Sequence, residues 1–250
     1  MEKRKEKAMA NEEFETNDRM KAILELAKHP MKPGDTFRFR CTQCGECCKY
    51  RDDILLNPFD LCRMSLELDE DLPDIIRKYT ALFVGNNSKI PLVSLKMRKD
   101  TGGCPFLMKD NRCRVQKRKP TVCALYPLGR IAEERKKGPL KISYFLQPVD
   151  CGEKDEAHTP QEWLGEFGMK ESEEWFTVWQ DAVGAVSEKV RDILPKMSDK
   201  LAGAMYQLLG SMLYLKYNPN EPLIPQVKGN TELAVKMIED IRYMLDPETQ

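Results

Sequence analysis

The residues with the strongest chemical potential are eight in a row: Cys41-Thr42-Gln43-Cys44-Gly45-Glu46-Cys47-Cys48. They hold four of the nine cysteines; the rest are Cys62, Cys104, Cys113, Cys123 and Cys151. Thiolate is a soft ligand, and sets of four suit zinc or an iron–sulfur cluster. The spacing Cys41-x2-Cys44-x2-Cys47 lets three thiolates of one loop turn toward one centre. Gly45 helps, because a tight ligand loop often needs a positive φ and close backbone approach. Cys47 and Cys48 are neighbours, and neighbours on an extended backbone point to opposite sides. Either two centres share the loop, or one of the pair is a bystander. Eight thiols can close two four-thiolate sites. The preferred arrangement is one centre fed by the first loop and a remote cysteine, with a second built mainly from later cysteines. The same three-cysteine run opens a bacterial ferredoxin motif, in which a remote Cys before Pro takes part. Cys104-Pro105 is such a pair.

The competing readings are buried thiols and disulfides. An odd cysteine count leaves one thiol over, and adjacent cysteines are hard to bridge to each other. Nine cysteines at C-x-x-C spacing argue for metal chemistry in a reducing compartment. The Lys/Glu-rich start, Met1 to Ala10, is not a secretory signal. No window has the roughly 18 consecutive apolar residues of a membrane span. The chain is therefore expected in the cytoplasm. Forty basic residues balance forty acidic ones, which gives no argument for nucleic acid or an anionic membrane as a partner. A protein partner is left open.

The elements that must position the thiols are legible in outline. Met1 to Asn17 is polar and expected to fray. Met20, Ile23, Leu24 and Ala27 mark a helix over Asp18 to Lys28, ended by His29-Pro30. An extended piece through Phe37 and Phe39 leads into the cluster. Ile54-Leu55-Leu56 reads as a strand, and Asn57-Pro58 starts a helix to Leu68 that contains Cys62. A second helix is expected over Leu72 to Leu82, and a strand over Ile90 to Met97. Cys104 to Pro127 should be irregular, with Lys117-Arg118-Lys119 a solvated basic loop. Leu128 to Ile131 and Lys141 to Leu146 read as a hairpin.

Thr159-Pro160-Gln161-Glu162 is a capping box. Apolar stripes then mark helices over about 172–194, 198–217 and 231–245. His158 is expected on an exposed loop and His29 at a helix end, neither with a metal role. The fold class is α+β, mainly helical, with an irregular cysteine-rich core, a small antiparallel sheet and C-terminal helices. The segments expected are 1–36, 37–152 and 153–250. Few long apolar stripes lie in 37–152, so metal is expected to supply much of that region's stability, and the later helices to depend on it less.

The motifs together resemble a family of bacterial and archaeal cysteine-cluster proteins, described as a zinc- or iron-chelating domain. They are Cys41-x2-Cys44-x2-Cys47-Cys48, Cys104-Pro105-Phe106-Leu107, Cys113, Arg118-Lys119-Pro120-x2-Cys123-x2-Tyr126-Pro127 and Cys151. Asn57-Pro58-Phe59-Asp60 is similar to the family's spacer. The resemblance covers about residues 37 to 152. It implies metal chelation by Cys41, Cys44, Cys47, Cys48, Cys104, Cys113, Cys123 and Cys151, with zinc or an iron–sulfur cluster as cofactor. Cys62 lies outside the pattern and reads as a buried free thiol. Lys119-Pro120 stands where the family has Arg-Pro.

Three functions follow: a non-enzymatic metal-binding module, an iron–sulfur oxidoreductase, and a protein lysine-N-methylase, the last two from labels that some relatives carry. The sequence has no G-x-G-x-x-G after a strand, P-loop, H-E-x-x-H or G-x-S-x-G. Tyr126, Arg130 and Tyr144 lie near thiols in sequence and read as packing or surface residues.

Overall fold

The computed structural model describes residues 21–23, 25–32, 34–49, 51, 53–133 and 140–246. The expected polar start, Met20, Leu24 and the Lys136-to-Pro139 turn lie outside these. Residues 21–23 and 25–27 are helical, as the stripe through Ile23 and Ala27 predicts. The chain is α+β and mainly helical. Among the described residues, no helix is long and apolar enough to cross a membrane.

Contacts divide the chain into two compact units built from non-contiguous segments. The smaller unit takes the described residues up to Thr42 and Leu125–Trp163, and the larger takes Gln43–Ala124 and the residues from Leu164 on. The segments 1–36, 37–152 and 153–250, by contrast, divide the chain along its sequence. In place of one small sheet there are three antiparallel ones among the described residues.

In the larger unit, strand β2 (Leu55–Leu56) leads into helix α1 (Pro58–Leu68). Asn57 caps α1 by accepting from the Asp60 amide, and the Asp60 side chain accepts from the Asn57 amide. Pro58 sits where its missing N–H costs nothing. Helix α2 (Leu72–Tyr79) stops three residues before the expected Leu82. Thr80–Val84 forms strand β3 instead. That run is rich in β-branched and aromatic residues, and it pairs with strand β4 (Pro91–Leu95) in full register from Thr80↔Leu95 to Val84↔Pro91. The sheet order is β2-β4-β3.

Helices α5 (Ser172–Ile193), α6 (Asp199–Tyr214) and α7 (Leu223–Leu245) complete this unit. Helix α7 starts eight residues before the expected Thr231. Pro225 is tolerated because the first-turn amides have no intrahelical acceptor.

One hydrophobic core joins α1, α2 and the sheet to α5, α6 and α7. Phe59 stacks on Trp175 with centroids 5.2 Å apart, Trp179 meets Tyr214 edge-on, and the Tyr214 hydroxyl donates to the Pro91 carbonyl. Truncating the fully buried Phe59 to Ala should cost about 3–5 kcal/mol. The expectation that the cysteine region buries little apolar surface does not hold. Short elements whose stripes look weak singly bury Leu61, Met64, Ile75 and Ile90 completely once packed on those helices.

In the smaller unit, strand β1 (Phe37–Arg40) pairs with strand β7 (Glu153–His158), and β5 (Leu128–Glu133) with β6 (Lys141–Leu146). Strand β7 is Glu-Lys-Asp-Glu-Ala-His, exposed except at His158. It shows no alternation, so nothing in its own sequence marks it; pairing with β1 makes it a strand. His158 is buried, its Nε2 3.1 Å from the Phe39 carbonyl and its ring against Trp163. It is not the exposed loop residue expected, because the ribbon closes over it. The Thr159–Glu162 capping box forms as expected and opens helix α4 (Pro160–Gly165).

Candidate metal centre

The loop after Thr42 turns tightly because two residues take left-handed backbone, Gln43 at φ 54° and Gly45 at φ 79°. A Cβ on Gly45 would also stand 3.0 Å from Leu107 Cδ1. Glu46–Cys48 then forms one 3-10 turn, closed by the Cys48 amide on the Gly45 carbonyl. In that turn successive side chains stand about a third of a revolution apart. The Cys47 and Cys48 sulfurs consequently lie 4.0 Å from each other. The expectation that the pair points to opposite sides assumed extended backbone, and the turn overturns it.

The next segment is pinned to this loop by backbone. The Cys104 amide donates to the Cys48 carbonyl at 2.8 Å, beside an antiparallel bridge between Lys49 and Gly103. Cys104 is buried, and its sulfur accepts from the Phe106 amide at 3.4 Å. Arg98 fastens the following stretch by donating to the Pro105 and Leu107 carbonyls, each at 2.9 Å. A further bridge between Leu107 and Cys113 returns the chain, bringing Cys113 alongside.

Cys123 arrives on the short helix α3 (Thr121–Leu125). Its start is held by Asp60, whose Oδ1 accepts from the Thr121 amide at 2.8 Å and from its hydroxyl at 2.6 Å. One buried carboxylate therefore serves the N-termini of both α1 and α3. Burial pushes this carboxyl up, and the hydrogen bonds from Thr121 and Asn57 pull it down. Arg63 on α1 braces the other side, donating to the Phe167 carbonyl at 2.6 Å and the Gly168 carbonyl at 3.2 Å, with its guanidinium over the Trp175 ring.

Several of these thiols influence one another electrostatically. The hydrogen bond with Cys104 pushes the Cys48 thiol up to about 12, with burial adding to it and Cys47 opposing. Cys47 is pushed up by its hydrogen bond with Cys48 and then by burial, while Lys119 and Arg51 pull it down. Burial pushes Cys123 up; Lys119 opposes, and the Cys48, Cys47 and Cys113 thiols reinforce the rise. The contacts that bring thiol-bearing residues together in the larger unit are the 4.0 Å approach of the Cys47 and Cys48 sulfurs and the Cys104–Cys48 backbone hydrogen bond.

Cys44 is half-buried on the same loop. In the smaller unit, Cys41 follows β1 and Cys151 precedes β7. The register Arg40↔Glu153 sets both at one end of that ribbon. The Tyr126 hydroxyl is 3.3 Å from the Cys151 sulfur. Cys62 is buried in the core of the larger unit, as expected, and burial pushes its thiol up to about 12.

Lys119, like His158, lies inside and not on the solvated loop expected. It is only 7% exposed, with Nζ 3.9 Å from the Phe167 ring centroid, whereas Lys117 is exposed as a solvated run requires. A basic tripeptide carries no mark of which cation turns inward. Arg51 was not singled out at all; its neighbours in sequence give no signal.

Among the described residues, no three His, Cys, Asp or Glu side chains stand together at coordinating geometry. The donor set nevertheless fits a thiophilic metal. Two ligands about 2.3 Å from one ion lie within about 4.6 Å of each other, and the Cys47–Cys48 separation meets that limit.

Residues 40–141 match the family model CxxCxxCC, described as a "putative zinc- or iron-chelating domain". The matched segment contains Cys41, Cys44, Cys47, Cys48, Cys104, Cys113 and Cys123, and ends before Cys151. The comparisons with curated proteins and with solved structures gave no match.

Proposed function

We propose that the protein chelates zinc or an iron–sulfur cluster through thiolates of Cys47, Cys48, Cys104, Cys113 and Cys123, with Cys44 on the same loop. The observation that supports this reading is the Cys48–Cys104 backbone hydrogen bond, which ties the second cysteine segment to a loop whose Cys47 and Cys48 sulfurs lie 4.0 Å apart. Bound metal would supply a positive centre that these thiols meet as thiolates, releasing their protons on binding. The chain's own part is to hold the sulfurs near one another and to exclude water with Phe106 and Val115, both buried. A reducing compartment such as the cytoplasm keeps such thiols available.

Purification without air, followed by elemental analysis and a visible absorption spectrum, tests this and separates the two metals. A colourless protein with bound zinc, or a brown one that air bleaches, supports the reading. Cys48→Ser and Cys104→Ser should each lower the bound metal. Cys41→Ser and Cys151→Ser test the wider ligand set expected from the sequence. Fully reduced protein that takes up neither zinc nor iron would end the proposal.

A further inference from the structure

The larger unit contains a buried cation with no counter-charge among the described residues. Lys119 is 7% exposed, and no carboxylate of the described residues forms an ion pair with it. It lies over the face of Phe167, 3.9 Å from the ring centroid. Burying an ammonium group is costly unless something negative meets it, and a ring face offsets only part of that cost. Arg51, the other cation beside the thiols, differs: its guanidinium meets the Asp53 carboxylate at 2.9 Å.

Lys119 stands four residues before Cys123, joined to α3 through Pro120, and its charge reaches both Cys47 and Cys123. Four thiolates around a divalent ion leave two net negative charges. The thiols alone, when protonated, offer Lys119 none.

We infer that Lys119 is the charge-compensating partner of a multi-thiolate metal centre that includes Cys47 and Cys123, and that it raises the affinity of that centre. Lys119 is a positioning residue: it touches no metal and acts through the charge it holds beside the ligands. The inference rests on the chelation reading above.

The test uses the full chain, reduced and metal-free, titrated with Co2+ and followed by its visible thiolate bands. Wild type, Lys119→Met and Lys119→Arg are compared, with melting of each metal-free protein measured alongside. Methionine keeps the length and the contact with Phe167 but removes the charge. Lys119→Met should bind Co2+ roughly 10- to 100-fold more weakly, the usual loss for a residue just outside the ligand shell. Lys119→Arg should recover most of that affinity. Metal-free Lys119→Met should melt no lower than wild type, since an uncompensated cation has been removed. Equal Co2+ affinity of Lys119→Met and wild type would overturn the inference. So would a Lys119→Arg protein as weak as Lys119→Met, or a Lys119→Met protein that loses stability without metal, since either would mean shape and not charge. Failure of the wild type itself to bind would overturn the chelation reading, and with it this inference, before any variant is compared.

Discussion

The Cys104 amide donates to the carbonyl of Cys48 across 56 residues of chain, at 2.8 Å. This one backbone contact turns a sequence motif into a site. It fixes the second cysteine segment to the first.

Chelation should therefore loosen only part of the cysteine region. Residues 54–95 share the deep core with α5, α6 and α7. They should keep their amide protection when a strong chelator is added. The ligand loop 43–49, held by one 3-10 turn and a single bridge, should lose protection. Hydrogen exchange with and without chelator reads this out, and uniform loosening through residues 54–95 would contradict the common core.

Gly45→Ala should destabilise the ligand loop without touching a ligand. Its φ of 79° strains any side chain, and the new Cβ meets Leu107 at 3.0 Å. A left-handed position costs about 1–2 kcal/mol for a non-glycine residue, before the contact is counted. Urea unfolding should show at least that loss, together with reduced metal retention. Wild-type stability in the variant would mean that the loop is not built as described.

Cys62 should behave as a hydrophobe. With its thiol pushed up to about 12 by burial, only a trace of thiolate exists at pH 8. Native protein treated with iodoacetamide at that pH should carry label on other cysteines and none on Cys62, until denaturant is added. Cys62→Ala should leave bound metal unchanged and lower stability by about 1–2 kcal/mol, the cost of a small cavity. Metal loss in that variant would place Cys62 among the ligands.

Arg63→Lys should act as a disruptive change at a distance. The guanidinium serves two carbonyls, of Phe167 and Gly168, while lying over Trp175. Lysine cannot repeat that fork. The expected loss is about 1–3 kcal/mol, the range for hydrogen bonds from a charged group, read by thermal or urea unfolding. A neutral outcome would show that these contacts contribute little.

The sequence by itself determined the local features whose causes are local. The Asn57 and Thr159 caps, the apolar stripes of α5 and α6, and the β5–β6 pairing were legible because a few adjacent side chains fix each of them. The thiol spacing likewise pointed to a soft metal. Tertiary structure decided the rest. Strand β7 exists through its pairing with β1, since its charged residues carry no alternation. Thr80–Val84 left the helix for the sheet because β4 offered a complete row of partners. The Cys47 and Cys48 sulfurs come within 4.0 Å because the chain makes a 3-10 turn after Gly45, where the sequence shows only that glycine permits such a turn. Lys119 went inside because Phe167, 48 residues later, presents its ring there. In each case the deciding partner is remote along the chain, and burial energy depends on which surfaces meet, a quantity no single segment contains.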